Sequence, residues 1–524
     1  PTWRAAGQEL LAGQWPVLRP DFWMGGNWAA EAQFGFWNPV NLLLMMGVAL
    51  IPNLAVGAHL VKLAFLLLLA LGAFTLAREY GAKPGLAAAV SIALPFAGFT
   101  LYYDAATWVA GLMAAAWTPW FWWAIRRFGR GAANPLVPFA FGYLLMTNGN
   151  PYGALSAVIV LACVAFEFLL AKDFRAVGGL VAVGALVGAT ALVAYLPLVL
   201  SSSVGWRNTS GLITNDGSLV PNLTQLAASS TPSYLPFIQL WAGPRATTPI
   251  TYGAWFLLPL LPWLNWSALR SRARAWAAPL AFLGIYLMLA IGPSNLWLFR
   301  WPVRLLEYLW LAVFVLLAAL LSQGLRTSRP GVRVAVSGGI VLVGAWLAVS
   351  AIAGVFVRHA LSLLVHAALV AVLILIILRA RRLLAGVLVA GTALVLALQL
   401  YWMPANRDVA QWQFPTTASG MQAYAEQYTG PILQVANTTL MKPDVAAPWQ
   451  VFAFGSVPGA SGIESTSSYT GLGFSKFSET LCMNHTGSVC KEALTTAFAP
   501  AGDGVTVPHL VDALKVNTVV VQNE

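Results

Sequence analysis

In the polar and aromatic stretches between alternate apolar runs carboxylates are few: Glu9, Asp21, Glu31, Asp104, Asp216 and Glu307 nearly exhaust them. A general base must be a titratable group within reach of the proton it takes, so this scarcity narrows where acid–base chemistry can sit. Asp104 follows Tyr102 and Tyr103 in a tight turn, which suits either a catalytic carboxylate or an N-cap for the next helix. Asp21 and Glu31 bracket Gly25 and Gly26 in a stretch rich in Trp and Phe, RPDFWMGGNWAAEAQFGFWNP. Such a stretch either cradles a sugar by ring stacking or forms an aromatic belt at a membrane interface. Arg300 and Arg304 stand four apart, so on one continued helix they share a face and can grip a phosphate; the competing reading is a salt bridge to Glu307. His366, alone in an apolar run, reads as a packed and hydrogen-bonded core residue.

The elements that must position these groups are set by lipid. Hydrophobic residues make up 59% of the chain and charged residues 9%, more apolar than a soluble fold can bury. The formal net charge of +11 sits in short clusters between apolar runs, so it reports orientation in a membrane and no nucleic-acid partner. Three cysteines are too few for a disulfide framework or a zinc site; no metal ligands and no cofactor are read from the sequence. The opening PTWRAAGQELLAGQW has neither the basic head nor the apolar core of a secretory signal. Trp3, Ala6, Leu10 and Leu11 fall at helical spacing, which predicts a short helix lying in the interface.

About twelve runs long enough to cross roughly 30 Å of hydrocarbon follow between Val56 and Tyr401. The fourth, Pro135 to Met146, is short, and the seventh runs from Thr251 to Trp266. Every second loop is basic: Arg78 and Lys83; Arg126, Arg127 and Arg130; Lys172 and Arg175; Arg270, Arg272 and Arg274; Arg326, Arg329 and Arg333; Arg379, Arg381 and Arg382. These mark the cytoplasmic side of a plasma-membrane-type bilayer. The sequence therefore predicts an outer interfacial segment over 1–55, a transmembrane domain over 56–401 and an outer soluble domain over 402–524. In the last, ILQVA, WQVFAF and NTVVV read as strands and PHLVDALKV as a helix, giving a small α/β or α+β unit. Cys482 and Cys490 flank MNHTGSV within it, where an oxidising exterior lets them pair, while Cys163 inside a span reads as packing.

Transporters place ionisable groups and broken helices near mid-bilayer. Here Lys62, Glu167 and Glu307 lie near helix ends, and the polar and aromatic residues gather on the outer face. That distribution suits a site handling a polar headgroup at the outer leaflet.

Several strings resemble the YfhO-like family of bacterial membrane proteins, which belong to the GT-C class of polyprenyl-phosphate-sugar-dependent glycosyltransferases. They are WMGGNWAAEAQFGFWNPVNLLL, LGAFTLAREYG, AGFTLYYDAATWVAGLMAAAWTPWFWWAIRR, NGNPYGA and LFRWPVRLLEYLWLAV, and they extend over roughly Pro1 to Gln323. The resemblance implies an α-helical, polytopic GT-C-like fold and a lipid-linked sugar donor entering from the outer leaflet. It also implies displacement at the anomeric carbon, with a cell-envelope glycan or lipid as acceptor. It supports Asp21, Glu31, Asp104 and Asn148 as site candidates and Arg300 or Arg304 as phosphate partners. Family members carry a transmembrane helix and an acidic segment just before the position matching Pro1, so in a longer chain the base is expected upstream. A lipid or polysaccharide transporter, and a non-catalytic membrane subunit whose outer domain binds partners, are the competing functions.

Overall fold

The computed structural model describes residues 1–19, 24–206, 218–239, 246–296, 299–406, 415–437, 452–500 and 509–522. Asp21 and Asp216 lie outside the described residues.

The chain opens on α1 (Thr2–Leu11), which packs on α2 (Pro39–Ala49). The seam is made of Ala5, Ala6 and Gly7, and a Cβ on Gly7 would lie 2.0 Å from the Met45 carbonyl oxygen. Small residues allow that approach; of the expected stripe, Ala6 is buried and Trp3 and Leu10 pack beside it, while Leu11 stays half exposed. Asn38 caps α2 by accepting from the N–H groups of Val40 and Asn41, with Pro39 at the first helical position.

Next come α3 (Leu54–Glu79), α4 (Pro84–Ala93), α5 (Val109–Gly129), α6 (Leu136–Thr147), α7 (Pro151–Leu170) and α8 (Phe174–Leu200). The five-residue α9 (Leu223–Ala227) precedes α10 (Trp266–Arg272) and α11 (Ala277–Ala290). A short hairpin, β1 (Asn295–Leu296) with β2 (Phe299–Arg300), leads into α12 (Leu306–Ser322), α13 (Pro330–Ala351), α14 (Phe356–Arg379) and α15 (Leu384–Trp402). Among the described residues seven helices are long and apolar enough to cross a membrane, α3, α7, α8 and α12 to α15. An eighth crossing forms if α10 and α11, bent by 110°, make one span. By these criteria the count is seven or eight, below the twelve runs read from sequence. Helices α4 and α6 are short, and α5 carries four tryptophans and two arginines that lower its apolar character. α12 is the central helix, 89% of its most apolar stretch being buried against α3, α4 and α11, whereas α8, α13 and α14 bury 28% and face lipid.

The run from Thr251 to Trp266 departs from expectation, because it forms turns and a single 3-10 turn (Leu261–Trp263) before α10 starts at its last residue. Gly253, Pro259 and Pro262 remove the helix-forming tendency. Non-helical backbone is tolerated at membrane depth only inside protein, and here its polar groups are taken up by neighbours. Gly98 donates to the Tyr252 carbonyl at 2.8 Å, His366 Nε2 to Trp255 at 2.8 Å and Ser337 Oγ to Pro259 at 2.8 Å. Arg326 N–H donates to the Trp263 carbonyl at 2.9 Å. His366 is thus the hydrogen-bonded core residue expected.

The basic clusters meet on one face. Arg126 binds Glu167 through Nε at 2.9 Å and Glu79 through Nη1 at 3.0 Å, with its guanidinium 4.1 Å above the Tyr80 ring. Trp122 Nε1 donates to Tyr80 at 3.0 Å, and Tyr80 donates to Glu167 at 3.2 Å. Glu167 is therefore consumed in a buried network rather than reaching for the interface.

The C-terminal domain holds α16 (Ala418–Ala425), β3 (Ile432–Val435), α17 (Val457–Ser461), α18 (Ser475–Leu481), α19 (Glu492–Ala497), α20 (Leu510–Ala513) and β4 (Thr518–Val521). ILQVA and NTVVV pair in parallel as β3 and β4. Of WQVFAF, Trp449 to Val451 lie outside the described residues and Phe452 to Phe454 form no strand. Cys482 and Cys490 form a disulfide with Cα atoms 5.8 Å apart, and Cys163 is buried.

Candidate functional site

After α4 the chain makes a π-helical turn, Thr100–Asp104, closed by the Ala105 N–H donating to the Thr100 carbonyl at 2.8 Å. Single π turns interrupt regular helix at points where a side chain is re-aimed. Lys62 secures this one by donating to the Ala106 carbonyl at 2.9 Å. The turn buries Asp104, 5% exposed, against the start of α5. Asp104 does not cap that helix: Trp108 holds the N-cap position and no side chain bonds there. The catalytic alternative for Asp104 therefore has no capping role to compete with it.

Glu307, 4% exposed in the first turn of α12, lines the same small pocket as Asp104, and its Oε1 has no hydrogen-bond partner among the described residues. Burial first, then the charge of Glu307 and a hydrogen bond to it, push the Asp104 carboxyl well above the ordinary carboxylate range, against the pull of Arg304.

Arg304 faces this pair from the turn before α12. Its guanidinium lies 4.2 Å from the Trp301 ring centre, 5.5 Å from Tyr152 and 5.7 Å from Trp108. Among the described residues Arg304 makes no ion pair and its side chain no hydrogen bond, so the competing salt bridge to Glu307 is not formed. An arginine held by ring faces keeps its N–H fork for an anion. Arg300 and Arg304 do not share a helix face, because Trp301 is left-handed at φ 63° and Pro302 starts a 3-10 turn. Both nonetheless stack on Trp301, Arg300 at 4.3 Å. Tyr152 fixes the strand by bonding both backbone polar groups of Arg300.

The motif TNGNPYG divides its labour. Asn148 is fully buried, donating to the Ala110 carbonyl at 3.0 Å and accepting from Asn41 at 3.2 Å, so it braces the wall without lining the pocket. Gly149 lets the first loop close in, since a Cβ there would lie 1.7 Å from the Ala32 carbonyl oxygen. Asn150 caps α7, and Tyr152 lines the pocket. Glu31 points away, its Oε1 accepting from the Gly471 N–H at 2.8 Å and from the Thr470 hydroxyl in the C-terminal domain. Its neighbour Gln33 is the first-loop residue that reaches the pocket.

The sequence reading counted Glu307 among the few outer-face carboxylates and as the alternative partner of the arginines, and did not single out Gln33, Trp108 or Tyr152. The signal for Glu307 was present: a carboxylate one turn into an otherwise apolar span is costly without a purpose. Among the described residues no three His, Cys, Asp or Glu gather as a metal site.

No protein-family model and no curated protein matches the chain. Among solved structures it is similar to the crystal structure of ArnT from Cupriavidus metallidurans bound to undecaprenyl phosphate. The TM-score is 0.52 and the identity 16%, over 96% of this chain and 86% of that one. At that identity the likeness is one of fold. The chain is an α-helical, multi-pass membrane protein with a small C-terminal domain, similar in fold to that GT-C-type structure.

Proposed function

We propose that the chain is a membrane glycosyltransferase moving a sugar from a polyprenyl phosphate carrier to a cell-envelope glycan or lipid, on the outer face of a bacterial plasma membrane. The observation that carries this reading is the aromatic-held Arg304 beside the buried Asp104 and Glu307. In the reaction the acceptor hydroxyl gives its proton to the Asp104 carboxylate while its oxygen attacks the anomeric carbon. The bond from that carbon to the phosphate oxygen breaks, and the charge left on the polyprenyl phosphate falls to Arg304, with Arg300 on the same Trp301 ring. Trp108, Tyr152 and Tyr308 line the pocket that would receive the sugar.

Three further observations support it. The fold is similar to that of a protein crystallised with undecaprenyl phosphate. The YfhO-like strings carry the pocket residues Asp104, Trp108, Tyr152, Arg304 and Glu307. Asp104 and Glu307 stand by the starts of α5 and α12, and Arg126, Arg127 and Arg326 at or beyond their ends, which with the positive-inside rule supports an outer site. The test is binding of undecaprenyl phosphate to the protein in nanodiscs, followed by sugar transfer from the matching glycosyl carrier. Binding that Arg304→Gln weakens at least tenfold is expected; absence of both binding and transfer overturns the reading.

A further inference from the structure

The site pocket is small and partly open: its free volume of about 20 Å³ takes a water and not a sugar. Asp104, Tyr152, Arg304 and Glu307 are carried on packed helices or the turns bound to them, whereas Gln33 is contributed by the first loop. Gln33 is exposed, and among the described residues its amide makes no hydrogen bond. A primary amide both donates and accepts, as a sugar hydroxyl requires.

The segment carrying Gln33 is tied to the C-terminal domain. Two residues before it, Glu31 accepts from Thr470 and Gly471. The intervening turn is tight, with Phe34 N–H on the Glu31 carbonyl at 2.8 Å and Gly35 N–H on Ala32 at 3.0 Å. Upstream, Met24 is 1% exposed within the core of the C-terminal domain, among Leu433, Leu481 and Met483. A Cβ on Gly473 would lie 2.3 Å from its Cε. The same 470–475 stretch is held to the end of α8, where Trp206 Nε1 donates to Gly471 at 3.0 Å and Ser475 N–H to Val204 at 2.9 Å.

We infer that Glu31 is a positioning residue: by clasping the C-terminal domain it fixes where the Gln33 amide stands in the pocket, and Gln33 contacts the donor sugar. The inference rests on the transferase reading and gives the C-terminal domain a part in admitting substrate.

The test uses the full chain in nanodiscs with Glu31→Ala, Glu31→Gln, Gln33→Ala and the Glu31→Ala/Gln33→Ala pair. In hydrogen exchange, Glu31→Ala should speed the amides of Phe34 and Gly35, and Glu31→Gln, which keeps an acceptor oxygen, should not. In transfer from a glycosyl polyprenyl phosphate, Gln33→Ala and Glu31→Ala should each raise donor KM roughly tenfold, about one lost hydrogen bond. The pair should be no worse than either, with kcat little changed and Glu31→Gln close to normal. Unchanged exchange in Glu31→Ala, normal kinetics in Gln33→Ala, or additive losses in the pair overturn the inference. If the unsubstituted protein transfers no sugar, the transferase reading and the role of Gln33 fall together, and the exchange result alone decides the clasp.

Discussion

A Cβ built on Gly111 would lie 1.9 Å from Asp104 Oδ2, so glycine at 111 is what allows this carboxyl to fold onto the first turn of α5. The partial positive charge of a helix N-terminus there favours an anion. Alanine at 111 must push Asp104 aside, while its better helix propensity adds about 1 kcal/mol of stability to an exposed helix and less here. Gly111→Ala should therefore cut transfer by at least about tenfold with little change in thermal unfolding. Normal transfer would show that the placement of Asp104 does not matter.

Removing the charge of Asp104 should separate stability from activity. Its pKa is raised in the fold, so the folded state holds the proton more tightly than the unfolded chain. The group therefore costs stability progressively as pH rises above the ordinary carboxylate range, and costs nothing below it. Asp104→Asn should unfold at a higher temperature than the parent at pH 8, with the gap closing toward pH 4. Transfer should fall by about 10²- to 10⁴-fold, as for loss of a general base. A lower unfolding temperature at pH 8 would contradict this.

The pH dependence of kcat/KM tests the surroundings of Asp104. A base with a raised pKa places the acid limb of the profile above the ordinary carboxylate range. Glu307→Gln removes the neighbouring negative charge and should move that limb to lower pH. Arg304→Gln removes the opposing positive charge and should move it to higher pH, with weaker donor binding. Both limbs moving the same way would refute the arrangement.

Orientation has a direct check. A thiol introduced at exposed Ser202, just past α8, should react with an impermeant reagent added outside intact cells, and one at exposed Ser271 should not. The reverse pattern would put the site in the cytoplasm.

Most of the helical framework was legible because a helix in lipid must be apolar along its length, whatever it packs against. The Thr251–Trp266 run has that composition, but its prolines also announced that no helix would form, and hydropathy alone does not weigh them. Asp104 stood out through scarcity. Its meeting with Glu307 joins two remote parts of the chain, which no local pattern encodes. Arg300 and Arg304 were found by spacing, yet helical geometry was the wrong reason: the left-handed Trp301 and Pro302 break the helix, and the shared Trp301 ring brings the pair together. Glu31 was noticed for its acidity, whereas its observed partners belong to a domain far along the sequence.

The irregular Thr251–Leu264 stretch also bears on how the protein is made. Its carbonyls at Trp255 and Pro259 are satisfied by His366 and Ser337, which leave the ribosome only with α14 and α13. Turns within the stretch pair some of its peptide groups, but the Trp255 and Pro259 carbonyls find their partners only on those two helices, and a carbonyl left unpaired is costly in hydrocarbon. This part of the chain must therefore wait beside the insertion machinery, or at the water boundary, until two later helices arrive. Chains truncated before α14 would carry an unpaired Trp255 carbonyl at membrane depth.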